Sequence, residues 1–152
     1  MNWIKNIGIL VISLSLSLLV AEVFVQIFKP QNTSGSWRTI DEHGLIMNKS
    51  EGDSFQVHGE RRADYYFEKF GVRSSFVTNN TPSSKVLVLG DSFTFGWLLN
   101  TEDTYIELLA QANNHISFLN AAAGGWGASD YTAYLETYCT QIKPDIALVI
   151  MN

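Results

Sequence analysis

Cysteine occurs once in the 152 residues, as Cys139, so an internal disulfide framework and any cysteine-based zinc site within the chain are excluded. Sitting in an apolar helical pattern, Cys139 is expected to be a small core residue. Charge is also scarce. Only 16% of residues are charged, the net charge is −5, and no run of Lys or Arg occurs. A nucleic-acid-binding surface is therefore not expected. No internal repeat is visible, which argues against a solenoid. The length allows one domain with a modest core.

Hydrophobic residues, by contrast, make up 46% of the chain, and the first thirty residues carry much of that excess. Ile7 to Phe28 reads IGILVISLSLSLLVAEVFVQIF, and its first part, Ile7 to Ala21, has no charge. Twenty-two helical residues span roughly 33 Å, about the thickness of a bilayer's hydrocarbon core. Glu22 and Gln26 lie near the far end, where they can reach the interface. No A-x-A pattern near Ala21 marks a cleavage site, so residues 7–28 are expected to be an uncleaved single-pass membrane anchor. Lys5 and the free amino terminus precede the run, which by the positive-inside rule places the N-terminus in the cytoplasm and the rest of the chain outside.

Three regions follow from composition: a transmembrane anchor or signal over 1–30, a polar, irregular, β-containing lead-in over 31–84, and an α/β region over 85–152. In the lead-in, apolar pieces such as Gly44 to Met47 and Tyr65 to Phe67 alternate with charged clusters such as Glu60-Arg61-Arg62. Short strands and loops packed on one edge of the following domain are expected there. Asn79 to Ser84 is turn-rich and feeds the first clear strand. Lys85 to Leu89 is apolar on both faces, as in a central parallel strand. A helix follows over Thr104 to Gln111 with Asp103 as its expected cap, then a strand over Ile116 to Leu119. Ser129 is the expected cap of a second helix, with Tyr131, Tyr134, Leu135, Tyr138 and Ile142 on one stripe. Lys143-Pro144 ends it, and Ile146 to Met151 is a third strand.

That alternation predicts right-handed crossovers and a parallel sheet covered on both faces. In such sheets chemistry collects just past the carboxyl ends of the strands. Both unusual loops lie there, GDSFTFG after the first strand and NAAAGGWG after the second. A serine at a strand-to-helix turn can project its hydroxyl beside backbone N–H groups able to stabilise an oxyanion. Ser92 is thus the candidate nucleophile. Gly90 allows close backbone approach before it. Asp91 is read as a cap, not a base. Gly124, Gly125 and Gly127 let a second backbone segment approach, and the Gly125 N–H is the candidate second oxyanion donor.

From Lys85 onward these residues resemble the GDSL, or SGNH, family of serine esterases and acyltransferases. KVLVLGDSFTFG resembles the family's first block, which implies Ser92 as nucleophile. NAAAGGWG resembles the second, which implies Gly125 as oxyanion donor. KPDIALVI is similar to the strand leading into the third. Phe70-Gly71-Val72-Arg73 is similar to a lead-in of membrane-anchored members. The implied fold is α/β: a flavodoxin-like, SGNH-type three-layer sandwich with a parallel sheet, incomplete at the C-terminus and preceded by one transmembrane helix. The third block normally supplies an oxyanion-hole asparagine. Asn152 is retained as a candidate for it, although it stands where the glycine of that turn would fall. The family's base comes from a late D-x-x-H element, and no Asp here has His three residues later. The chain is therefore expected to stop inside its third strand and to be inactive alone.

His43, His58 and His115 have no Asp spacing that suggests an orienting partner, and all three are expected to be loop or surface residues. Neither a cofactor nor a metal is called for. The expected substrate is an ester-bearing small molecule, lipid or acetylated glycan, with either water or a sugar hydroxyl as acyl acceptor. Trp97 and Trp126 either stack on that substrate or pack the loops. Two other classes remain: a flavodoxin-like module whose GDSFTFG loop cradles a phosphate, and an inactive structural or interaction protein. The loop lacks a P-loop Lys and the Rossmann glycine spacing, which weighs against the first.

Overall fold

Helix α1 (Asn2–Phe28) is one uninterrupted run of 27 residues, about 40 Å long, and its large apolar side chains are exposed throughout. It is long and apolar enough to cross a membrane. Its hydroxyls are satisfied within the helix: Ser13 donates to the Leu10 carbonyl at 3.0 Å and Ser17 to the Ser13 carbonyl at 2.8 Å. Gln26 donates to the Glu22 carboxylate one turn back. An apolar surrounding requires such internal pairing. The computed structural model describes residues 2–29, 33–77 and 82–151, and the chain divides into two compact units, residues 1–33 and 34–152. Part of the 31–36 linker and Asn79 to Thr81 of the turn-rich stretch lie outside the described residues.

The second unit begins with two antiparallel hairpins, β1 (Arg38–Ile40) with β2 (Ile46–Asn48) and β3 (Gly52–His58) with β4 (Arg61–Phe67). In β4, Ala63, Tyr65 and Phe67 are buried while Tyr66 is exposed, the period-two pattern of a strand with one wet face. Next come β5 (Ser84–Gly90), α2 (Ser92–Phe95), α3 (Tyr105–Ala112), β6 (Ile116–Asn120), α4 (Ala128–Ile142) and β7 (Ile146–Ile150). The last three strands form a parallel sheet in the order β6-β5-β7.

With β5 in the centre, both its faces are covered. Val86 and Val88 pack with Ile106 of α3. Leu87 and Leu89, fully buried, pack on the other side with Tyr131, Tyr134 and Ile142 of α4. Burial of each such leucine stabilises by roughly 2 kcal/mol, which is why this strand can be apolar on both sides without alternation. The stripe expected on α4 is the face that meets the sheet.

The helix caps differ from the expectation by one or two residues. Thr104, not Asp103, caps α3, its hydroxyl accepting the Glu107 N–H at 3.3 Å. Gly127, not Ser129, precedes α4. The Asp130 carboxylate reaches back to accept the Gly127 N–H at 2.8 Å, which leaves Ser129 inside the first turn. Lys143, at φ +52°, ends α4 before Pro144.

Leu45, Met47 and Val72 of the lead-in pack into the same core as Leu87 and Leu89, and one residue carries the backbone bridge to the parallel sheet. Arg73 bridges Phe67 at the end of β4 and Asn120 at the end of β6, and its N–H donates to the Asn120 carbonyl at 2.7 Å.

Candidate active site

The chain reverses direction across β5: one crossover leads to β6 on one side, the next passes to β7 on the other. A crevice forms beyond the carboxyl end of a strand at such a reversal. Ser92 is the second residue past that end.

Gly90 must be glycine. A Cβ there would lie 2.5 Å from the Thr94 Cβ and run into its hydroxyl. Thr94 itself is fully buried. Its hydroxyl accepts from Tyr105 Oη at 2.8 Å and its carbonyl accepts from Asn120 Nδ2 at 3.0 Å. Asp91 caps the single turn of α2, accepting the Phe93 N–H at 2.9 Å. Gly96, left-handed at φ +78°, closes it. Ser92 is half-buried at the head of this turn.

The second loop reaches Ser92 because it continues the ladder on β5. Ala121 N–H donates to the Val88 carbonyl and Ala123 N–H to the Gly90 carbonyl, at 2.9 and 3.1 Å. Ala121, Ala122 and Ala123 are buried to the last few per cent, and only small side chains fit that approach. A turn over Ala123 to Trp126 follows, closed by the Trp126 N–H on the Ala123 carbonyl at 3.3 Å, with Gly125 at φ +83°. A third turn residue in that region favours glycine. A Cβ on Gly124 would lie 3.8 Å from the Ser92 Cβ, so the second glycine loop passes within about one methyl group of the serine.

Four residues hold this arrangement in roles that the sequence did not assign to them. Arg73 is 3% exposed. Its guanidinium donates to the carbonyls of Phe95 and Gly96 at 2.8 and 3.0 Å, and to that of Leu99. It lies over the rings of Tyr65 and Phe95. Burial pulls its pKa down to about 10, against the opposing pull of Tyr65, Glu102 and Glu107. Asn120 ties α2 to the second loop, its Oδ1 accepting the Ala122 N–H at 3.2 Å. Asn48 donates to the carbonyls of Gly71 and Ala122. Arg38, exposed on β1, donates to the Gly124 carbonyl at 2.9 Å. A polar residue flanked by apolar or small ones was the available signal for Asn120 and Arg73. Arg38 gave none, because its contact crosses 86 positions of sequence.

Compared with known proteins, the chain matches no family model, no curated protein and no solved structure.

The remaining candidates separate clearly. Trp126 is buried against Tyr131 and Tyr134 and donates through its indole N–H to the Ile46 carbonyl, so it packs the loop. Trp97, immediately after α2, is 48% exposed, and Phe93 is 74% exposed. His43, His58 and His115 are all exposed. His43 pairs with Glu42 at 3.6 Å, and the His58 ring lies 5.8 Å from that of Trp97. Among the described residues, no hydrogen bond joins an imidazole to Ser92, and no group of His, Cys, Asp and Glu has the arrangement of a metal site. Asn152 lies outside the described residues.

Proposed function

We propose that this chain carries the nucleophile half of a membrane-anchored serine esterase or acyltransferase site, in a flavodoxin-like, SGNH-type three-layer fold. The observation that carries the reading is the close approach of two glycine loops at Ser92, just past the carboxyl end of the central strand. The strand order and the placement of α3 and α4 on opposite faces support the fold.

In this reading Ser92 Oγ attacks the ester carbonyl carbon and its proton passes to a general base. The carbonyl oxygen, now negative, is held by backbone N–H groups including that of Gly125. Collapse expels the alcohol and leaves an acyl-Ser92. Water, or a sugar hydroxyl, then takes the acyl group and restores the serine. Among the described residues none of the three histidines is hydrogen-bonded at the serine, and the base that the family resemblance implies, a D-x-x-H element, does not occur in these 152 residues. Exposed Trp97 and Phe93 beside Ser92 suit an apolar or sugar-ring substrate face. Helix α1 would hold the domain at the outer face of a membrane, with the N-terminus inside.

The test is ester turnover by the full-length protein. Ser92→Ala is expected to abolish release of acetate from an acetylated glycan and transfer of acetyl to a glycan acceptor alike. Unchanged turnover would overturn the reading. The ratio of release to transfer in the unmodified protein decides between hydrolase and transferase.

A further inference from the structure

We propose that Arg38 is a positioning residue for the oxyanion hole, holding and polarising the peptide unit whose N–H faces the reacting ester. The inference rests on the Ser92 reading above and adds to it a residue outside both glycine loops.

Arg38 donates through Nη2 to the Gly124 carbonyl at 2.9 Å. That oxygen and the Gly125 N–H are the two ends of one peptide unit. No peptide among the described residues is cis, so the N–H points away from the oxygen that Arg38 grips. The same peptide adjoins the serine, since a Cβ on Gly124 would be 3.8 Å from the Ser92 Cβ. Among the described residues the Gly125 N–H makes no hydrogen bond.

Glycine at both positions leaves this peptide free to rotate, and Gly125 already occupies the left-handed region. A charge-assisted hydrogen bond on the carbonyl therefore fixes an otherwise soft element. Drawing electron density toward the carbonyl oxygen also makes the N–H at the other end a stronger donor, as in any hydrogen-bonded chain. The guanidinium is not neutralised: among the described residues Arg38 forms no ion pair. Its effect on the oxyanion is thus indirect, through the peptide, and grows as negative charge develops on the substrate oxygen. The stabilisation belongs to the transition state rather than to substrate binding.

The test uses the full-length protein with p-nitrophenyl acetate. Arg38→Ala is expected to lower kcat about tenfold while KM stays within about twofold, Arg38→Lys to keep most of the rate, and added guanidinium ion to restore Arg38→Ala. An unchanged kcat, a loss confined to KM, or a defect that guanidinium leaves untouched would overturn the role of Arg38. Turnover that depends on Ser92 but not on Arg38 overturns only this inference. Turnover that survives Ser92→Ala, or none from the unmodified protein, overturns the esterase reading on which it rests.

Discussion

At Gly90 one methyl group is enough to disturb the turn, because the Thr94 side chain occupies the space a Cβ would need. Gly90→Ala is expected to destabilise the fold by about 1–3 kcal/mol, read as a lower urea midpoint, since Thr94 is held on both sides and cannot yield. A midpoint unchanged from the unmodified protein would show that α2 moves freely. Arg73 is the larger test. Its removal leaves the carbonyls of Phe95, Gly96 and Leu99 without their charged donor, and empties the space over the rings of Tyr65 and Phe95. Arg73→Ala is expected to cost about 3 kcal/mol or more in equilibrium unfolding. At this scale the sequence was readable where chemistry is local. Gly90, the Asp91 cap and the glycine turn follow from nearest neighbours. Arg38 and Asn48 act across distant stretches, and no local pattern announces such contacts.

Among the elements, β5 was legible from its composition because burial on both faces leaves it no polar side. The β3–β4 hairpin was harder. Its buried residues do alternate, as Ala63, Tyr65 and Phe67, but Arg61, Arg62 and Asp64 on and around the other face break the apolar run. The caps of α3 and α4 were misplaced by one and two positions. Neighbouring Asp, Thr and Ser residues are all competent caps, and backbone geometry chooses between them. Helix α4 carries a pH dependence. The Tyr138 hydroxyl donates to the Asp41 carboxylate at 2.7 Å. Burial, that hydrogen bond, and the charges of Asp41 and Glu42 raise its pKa to about 12. Burial and nearby Tyr138 raise that of Tyr134 as well. A group whose folded pKa is raised stabilises fully below its ordinary value near 10 and loses that contribution as pH climbs toward the folded value. Stability is therefore expected to fall between pH 10 and pH 12, and Tyr138→Phe to flatten that fall in urea titrations at stepped pH. Equal slopes would contradict the coupling between α4 and Asp41.

For the molecule as a whole, the outer edge of β7 is the open surface. Ile146, Leu148 and Val149 are exposed, and β5 is the strand's only partner among the described residues. An open, apolar parallel edge is a template for pairing with another chain. A polypeptide of residues 34–152 is expected to self-associate, and Leu148→Lys to shift its sedimentation toward monomer. A monomeric parent would contradict this. The apolar length of α1 was plain in the sequence, and so were the parallel sheet and its two loops. What the sequence withheld was how the lead-in is attached: buried Arg73 bridges β4 to β6 and holds the turn that carries Ser92, while Asn48 and Arg38 reach across to the second loop. The central claim concerns that serine. Full-length protein treated with a fluorophosphonate, digested and read by mass spectrometry is expected to carry the adduct on the peptide containing Ser92, with none on Ser92→Ala. An adduct on another residue, or labelling that persists in Ser92→Ala, would contradict the account.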